Sequence, residues 1–150
     1  MELILWRHAE AEDGFPDLAR ELTAKGRKQA RQMAAWLSDR MPADTRILVS
    51  PAARTQQTVA ALERDFSTLQ ALAPDATAKQ LLAAAGWPDS PHSILIVGHQ
   101  PTLGEAAALA MTGKAASWSV KKGAIWWLSS RSRLTANECT LRAVIAPDQL

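Results

Sequence analysis

Apolar and polar residues occur in blocks along this chain, and the length of each block indicates what it forms. Short runs that are almost wholly apolar are typical of strands buried on both faces of a sheet. The chain has several such runs, which predict strands at 2–7, 46–50, 93–98, 124–129 and 139–145. A short strand is also predicted at 68–72, and the last two strands are placed to form a hairpin whose loop spans 130–138.

Longer blocks repeat an apolar residue every three or four positions, which is the spacing of one face of an amphipathic helix. Thr23 is a favourable N-cap for the first of these helices, predicted over about 24–40. Ser50 followed by Pro51 has the pattern of an N-cap and an N1 proline, which predicts a second helix over about 51–65. The residues that the second helix would turn to the core are Thr55, Val59, Leu62 and Phe66.

Two more helices are predicted further along the chain, one at 76–85 with Gly86 as its stop and one from Thr102 to about 113. Strands that alternate with helices are typical of a parallel sheet covered on both faces. The order β-α-β-α-(α)-β-α-β-β therefore predicts an α/β fold, a three-layer α/β/α sandwich with a mostly parallel central sheet. A length of 150 residues is typical of one domain, and we expect residues 1–150 to form a single one.

The composition excludes several other classes of protein. Hydrophobic residues make up 47% and charged residues 21%, as in soluble globular proteins, and no window reaches the ~20 apolar residues of a membrane span. The single cysteine, Cys139, excludes an intrachain disulfide and a cysteine-based zinc site. With one free thiol and no signal-peptide pattern at the N-terminus, we expect a cytoplasmic protein. The net charge of +2 does not indicate a nucleic-acid binder.

Basic and imidazole side chains follow three of the predicted strands where each strand ends. Arg7 and His8 end the first strand, Arg54 follows the second, and His99 follows the strand at 93–98. Because the carboxyl ends of parallel strands meet at one edge of a sheet, we expect these four side chains to converge. Two guanidiniums and two imidazoles make an anion site suited to a phosphoryl group, and an imidazole can act as nucleophile, acid or base. No lysine-bearing glycine-rich loop is present, which excludes a P-loop NTPase.

Four segments of the sequence resemble motifs of the histidine phosphatase superfamily, whose fold is phosphoglycerate mutase-like. The segment 7–10 (RHAE) resembles its Arg-His-Gly motif, and 48–58 (LVSPAARTQQT) resembles its Ser-Pro-x-x-Arg-x-x-Gln-Thr motif. The segment 96–99 (IVGH) is similar to its second histidine motif, and Leu22-Thr23-x-x-Gly26 is similar to the element before its first helix. The four segments occur in the order of the family, and the short chain resembles its SixA-type phosphohistidine phosphatases.

The resemblance implies a catalytic role for Arg7, His8, Arg54 and His99. His8 would be the nucleophile that accepts the phosphoryl group, and water would then hydrolyse the phosphohistidine intermediate. Arg7, Arg54 and His99 would bind the phosphoryl oxygens and stabilise the charge of the transferring group. No metal or other cofactor is implied, because the cationic side chains supply the electrostatic stabilisation.

Two features depart from the family pattern. Ala9 replaces the glycine of the first motif, which is tolerable where the backbone φ is negative. Many members carry a glutamate as general acid before the second histidine, but no glutamate occurs from Arg64 to Gly104. Asp75 and Glu10 are the candidates for an acid or a rim residue. An alkoxide leaving group needs such an acid, whereas an imidazole can leave already protonated, so the sequence favours a phosphoramidate substrate.

The leading hypothesis is therefore a phosphohistidine phosphatase that acts on a phosphorylated protein. By resemblance, the partner would be a histidine-containing phosphotransfer domain of a signalling relay. Two alternatives stay open: a phosphomonoesterase that acts on a small phosphorylated metabolite, and a non-catalytic protein that binds phosphoryl groups. Neither a nucleic acid nor a membrane is expected as a partner. Trp118, Lys121 and Lys122 are candidates for the flank of the site, and His92 is expected at the surface.

Overall fold

Parallel and antiparallel strands combine in one six-stranded sheet. The computed structural model describes residues 1–132 and 137–150. Its strands are β1 (Glu2–Arg7), β2 (Arg46–Val49), β3 (Ser67–Thr68), β4 (Ile94–Gly98), β5 (Ile125–Ser132) and β6 (Asn137–Ile145). Their order is β3-β2-β4-β1-β5-β6, in which β5 runs antiparallel to β1 and β6, and the other pairs are parallel. The mostly parallel sheet is confirmed. The predicted loop at 130–138 falls partly on residues 133–136, which lie outside the described residues.

Helices cover both faces of this sheet. They are α1 (Ala24–Ser38), α2 (Ala53–Ala60), α3 (Ala78–Ala85) and α4 (Thr102–Thr112). Met33 of α1 and Val59 of α2 pack in the core on one face, and Leu81 of α3 and Leu103 of α4 pack in the core on the other. The predicted three-layer α/β/α sandwich is therefore confirmed. No helix in the described part of the chain has the length and apolarity that a bilayer crossing requires.

The predicted N-cap of α1 and the predicted stop of α3 are confirmed by the geometry at these two helix ends. The Thr23 hydroxyl oxygen accepts a hydrogen bond from the Gly26 N–H (2.9 Å), as an N-cap of α1 does. Gly86 ends α3 in the left-handed conformation (φ 69°), which glycine adopts without steric cost.

The second helix differs from its prediction at both ends. It spans Ala53–Ala60 instead of 51–65, and its N-cap is Ala52, which makes no side-chain capping bond. The Ser50 hydroxyl, predicted as the cap, contacts the ring of His99 instead. Because the helix ends early, Phe66 does not reach the core and is 38% exposed, so that prediction was wrong.

The segment after α2 also differs from its prediction. The strand predicted at 68–72 is the two-residue strand β3, and a 3-10 helix, Gln70–Leu72, follows it. This segment brings the chain back to the edge of the sheet where the parallel strands end.

The central strands end level with one another at that edge. In the sheet register Arg7 pairs with Gly98, and Val49 pairs with Val97. The residues that come next on the chain therefore start from one line, and the chemistry predicted at the strand ends lies along it.

Candidate active site

Arg7 ends β1 at the centre of the sheet and His8 follows it, and backbone groups of neighbouring segments fix both residues. The His8 N–H donates to the Gly98 carbonyl (3.1 Å), and the His8 carbonyl accepts from the Gly123 N–H (2.9 Å). The Arg7 side chain donates from Nη1 to the Val120 carbonyl (2.8 Å). The end of β4 and the segment before β5 thus hold both residues in place.

One hydrogen bond determines which nitrogen of the His8 ring carries a hydrogen. Nδ1 of His8 lies 2.7 Å from the Ala9 carbonyl oxygen. Because a carbonyl only accepts, Nδ1 is the donor and Nε2 keeps its lone pair. Burial of the ring, and then the positive charges of Arg54 and Arg7, lower the pKa of His8 to about 4. The ring is therefore neutral at pH 7, with Nε2 as its basic nitrogen.

Ala9, which stands where the family motif has glycine, causes no backbone strain. Its φ is negative, and its side chain is fully buried. Its N–H donates to the Thr58 hydroxyl oxygen on α2 (3.1 Å). The departure from the family glycine therefore leaves the backbone after His8 in a favourable conformation.

His99 follows β4 and lies beside His8. The two ring centroids are 5.4 Å apart and the rings are tilted by 54°. Nε2 of His99 lies 2.7 Å from the Ser50 hydroxyl oxygen. Burial, and then the positive charge of Arg54, lower the pKa of His99 to about 3. Two neutral imidazoles thus lie side by side at the edge of the sheet.

Arg54 in the first turn of α2 is almost fully buried, at 5% exposure. Its Nη1 donates to the Asp17 carbonyl (2.8 Å), and its Nη2 contacts the Asp17 carboxylate (3.1 Å). Arg20 contacts the same carboxylate from Nη1 (3.0 Å). Hydrogen bonds from Arg20 and Arg54 lower the pKa of Asp17, although part of that carboxylate is exposed. The loop before α1 is therefore tied to the arginine after β2.

Sequence reasoning missed Asp17, Arg20 and the second role of Ser50. These residues do not follow a strand, apart from Ser50, whose pattern matched a helix cap. One signal could have identified Arg20, since it is a basic residue that ends an otherwise acidic stretch before a helix. A cation in such a place points to a local anionic partner, and Asp17 is that partner.

The side chains meet in one cleft of about 230 Å³. The cleft is lined by Arg7, His8, Ala11, Asp13, Arg20, Arg54, Pro74, Asp75, His99, Gln100 and Lys122. The four residues predicted from the strand ends are therefore brought together, while their roles stay predictions. The described residues contain no group of three or more His, Cys, Asp and Glu side chains placed to hold a metal ion.

The two candidate acids lie in different places. Asp75 lines the cleft from a turn in which its φ is 76°, a left-handed value that aspartate adopts more readily than most residues. Glu10 is absent from the lining of the cleft, and its carboxylate accepts a hydrogen bond from the Thr23 hydroxyl (2.7 Å). Of the flanking candidates, Lys122 lines the cleft, and Lys121 contacts Asp148 (3.4 Å).

Three buried polar atoms of residues that line the cleft have no hydrogen-bond partner in the described part of the chain. Nε of Arg7, Nε of Arg54 and Nδ1 of His99 are buried and make no hydrogen bond to any residue within 1–132 or 137–150. A buried polar group without a partner costs about 1–3 kcal/mol. Oxygens of a tetrahedral anion accept hydrogen bonds from guanidinium groups in this arrangement. The donor set therefore fits a phosphoryl group.

The sequence is similar to a family model and to several known proteins. The family model of the histidine phosphatase superfamily (branch 1) matches residues 3–79. An uncharacterized protein of Mycobacterium tuberculosis is 32% identical over 103 residues, and the match spans 64% of this chain but only 63% of that protein. A phosphohistidine phosphatase SixA homolog of Haemophilus influenzae is 32% identical over 124 residues, or 72% of this chain and 76% of that protein.

A solved structure extends the likeness to nearly the whole chain. It is the crystal structure of a candidate SixA phosphohistidine phosphatase of Agrobacterium tumefaciens, which is 28% identical, covers 97% of both chains and superposes with a TM-score of 0.78. The family model and the similar relatives agree with the fold. The chain belongs to the histidine phosphatase superfamily, branch 1.

Proposed function

We propose that this protein is a phosphatase that hydrolyses phosphohistidine on another protein, through a phosphohistidine intermediate on its own His8. The observation that supports this most directly is the neutral His8 ring, whose Nδ1 hydrogen is engaged by the Ala9 carbonyl. Nε2 is then a nucleophile at pH 7 without the need for a base to deprotonate it. The arginines beside it would attract the anion that it attacks.

In the first step, Arg7, Arg54 and His99 hold the phosphoryl oxygens. The two Nε–H groups, which lack a partner among the described residues, donate to those oxygens. The Ser50 hydroxyl accepts from the Ala52 N–H (3.3 Å) and lies 2.7 Å from Nε2 of His99. In this proposal the hydroxyl donates its own hydrogen to that nitrogen. Nδ1 of His99 then carries the ring hydrogen and is a third donor. These groups stabilise the charge that spreads over the phosphoryl oxygens in the transition state.

Two displacements complete the reaction. Nε2 of His8 bonds to phosphorus as the phosphorus–nitrogen bond of the substrate breaks. The bonding pair leaves with the substrate imidazole, whose other ring nitrogen already carries a hydrogen, so that it departs as a neutral ring. Water then bonds to phosphorus, the bond to Nε2 breaks, and inorganic phosphate leaves with the hydrogens of the water. His8 returns to its starting state, and no electrons are gained or lost overall.

The two candidate substrates, phosphohistidine and a phosphate ester, differ in whether the leaving group needs a proton from a general acid. Among the candidates for a general acid, the Glu10 carboxylate is engaged by Thr23, whereas Asp75 lines the cleft. An imidazole leaves without such an acid, which fits a site built mainly from cations. The name of the Haemophilus influenzae relative, a phosphohistidine phosphatase SixA homolog, supports the same substrate. For a phosphatase of this kind, the proposed partner is a histidine-containing phosphotransfer domain, and the proposed compartment is the cytoplasm.

A second candidate function is a phosphomonoesterase that acts on a small metabolite, and the position of Asp75 favours it. In that case Asp75 would protonate the departing alkoxide, and Asp75→Asn would lower turnover of a sugar phosphate by about 10²–10⁴-fold. On phosphohistidine the same substitution would have little effect.

The experiment is a transfer assay with a phosphotransfer domain labelled with radioactive phosphate on its histidine. We expect label to pass transiently to the protein and then to appear as inorganic phosphate. His8→Ala should remove both signals, while His92→Ala, which alters a histidine outside the cleft, should keep both. Full activity of His8→Ala would overturn the mechanism. Faster release of phosphate from sugar phosphates than from the phosphorylated domain would overturn the proposed substrate. Phosphate binding without turnover would indicate a non-catalytic binding protein.

A further inference from the structure

Residues 12–20, which we call the rim loop, display the most exposed large apolar side chain described in the molecule. Phe15 at its tip is 97% exposed, and Leu18 is 51% exposed. Burial of apolar area is the main favourable term in folding, so a fully exposed phenylalanine contributes little to the stability of the chain. A different explanation is needed for its position.

The rim loop is nevertheless held in a defined conformation. At its base the Glu12 N–H donates to the Glu21 carbonyl (2.8 Å), and Arg20 Nε donates to the Glu12 carbonyl (2.7 Å). In its middle, Asp17 is bonded to both Arg20 and Arg54. The loop that carries Phe15 is thus anchored to the arginine of the cleft itself, so Phe15 is presented at a fixed place beside the site.

The surface around Phe15 is continuous with the cleft. A depression of about 230 Å³ at the rim loop is lined partly by Phe15 and Pro16, and it shares Asp13 and Arg20 with the cleft. Phe15 itself is absent from the lining of the cleft, so a small phosphorylated molecule bound there is not expected to contact it. A folded protein that carries the phosphoryl group extends past the rim and covers this surface.

Charge on the two sides of the cleft differs. The rim loop carries acidic residues, with Glu12 at its base and Asp13 two residues before Phe15. A second depression, of about 400 Å³, shares Arg7 and Lys122 with the cleft. Its lining adds the basic residues Lys25 and Lys121 and the acidic residues Glu10 and Asp148, so basic residues outnumber acidic ones there. A docked protein thus meets acidic groups beside Phe15 and basic groups beside Lys122, and complementary charges would fix its orientation over the cleft.

From these contacts we infer that Phe15 at the tip of the rim loop is a docking site for the protein that carries the phosphohistidine, with an apolar patch of that protein seated on it. Aromatic side chains that become buried at an interface commonly supply much of its binding energy. This inference rests on the proposed function, which names the reaction at the cleft, and adds the surface that recognises the partner outside it.

The test compares a large substrate with a small one. The probes are a histidine-containing phosphotransfer domain phosphorylated on its histidine, and free phosphohistidine. Phe15→Ser should lower kcat/KM for the phosphorylated domain about tenfold, mainly through a higher KM, and should leave free phosphohistidine within about twofold. The matched control is Phe66→Ser, because Phe66 is exposed at the opposite edge of the sheet, beside Thr45 and Arg46. It should leave both substrates unchanged.

The outcomes separate the two proposals. If wild-type protein hydrolyses neither substrate, the proposed function fails and the docking site fails with it. If wild-type protein hydrolyses both and Phe15→Ser changes neither, or lowers both equally, only the docking site is wrong. Sedimentation that shows a dimer of this chain dissociated by Phe15→Ser would assign the patch to a second copy and would also overturn it.

Discussion

At the scale of single residues, the Ser50 hydroxyl is placed to orient His99. It is fully buried and lies 2.7 Å from Nε2 of that ring. A hydrogen bond of this kind contributes about 1 kcal/mol, and a misoriented ring would also lose its contact with the phosphoryl oxygens. We expect Ser50→Ala to lower kcat/KM on phosphohistidine about tenfold, measured by phosphate release.

The control for this substitution is Ser130→Ala. Ser130 is also a buried serine, but its hydroxyl donates to the Pro88 carbonyl (2.7 Å), far from the cleft along the sheet. It should lose stability without losing turnover. An equal fall of kcat/KM in both variants would mean that the effect of Ser50 arises from general destabilisation and not from the orientation of His99.

The predictable part of the site is the part that strand ends determine. Arg7, His8 and His99 directly follow apolar runs, so the edge of a parallel sheet places them without further information. Asp17 and Arg20 lie on a loop whose path depends on bonds to Arg54, and no local pattern encodes that path. The tautomer of His8 depends on one carbonyl of its neighbour, which a sequence motif does not record.

At the scale of elements, the close contact between α1 and the chain after His8 explains a glycine of the sequence motif. A Cβ atom at Gly26 would overlap the backbone carbonyl of Glu10, which cannot move as a flexible side chain does. Gly26→Ala should therefore push α1 away from the segment after β1, at a cost of about 1–3 kcal/mol in unfolding free energy. Urea denaturation measures this loss.

Gly98→Ala is the matched substitution for comparison. A Cβ atom at Gly98 would meet a side-chain carbon of Leu103 at 3.5 Å, which is an ordinary van der Waals distance. We expect its midpoint in urea to stay close to that of the wild-type protein. A Gly26→Ala protein as stable as Gly98→Ala would show that α1 adjusts freely, and the packing explanation would then be wrong.

The second helix shows why helix ends are harder to predict than helix existence. Ser50 and Pro51 have a favourable capping pattern, yet the hydroxyl of Ser50 is engaged by His99, and the helix begins only at Ala53. The same hydroxyl also accepts from the Ala52 N–H (3.3 Å), so the local bond of the capping pattern is made, but the backbone becomes helical only at Ala53. The early end of the helix then leaves Phe66 partly exposed, which periodicity alone did not predict.

At the scale of the whole molecule, two buried histidines make stability depend on pH. The pKa values of His8 and His99 are lowered to about 4 and about 3 in the folded protein, against an ordinary value near ~6.5 in the unfolded chain. Below pH ~6.5 the unfolded state therefore binds protons that the folded state does not, and stability falls as pH falls. The loss continues until the folded rings titrate.

Between pH 6.5 and 5 this loss should amount to about 2 kcal/mol for each ring, measured as unfolding free energy in urea. Asp17, whose pKa is lowered by its arginine partners, contributes only at more acidic pH, near and below its ordinary value. His99→Gln should lose less stability over this interval than wild-type protein. Inorganic phosphate in the cleft adds negative charge beside both rings, raises their pKa values and should reduce the loss. A free energy of unfolding that stays constant from pH 6.5 to 5 would mean that both rings titrate near their ordinary pKa in the folded protein. His8 could then no longer be described as a nucleophile that burial keeps neutral.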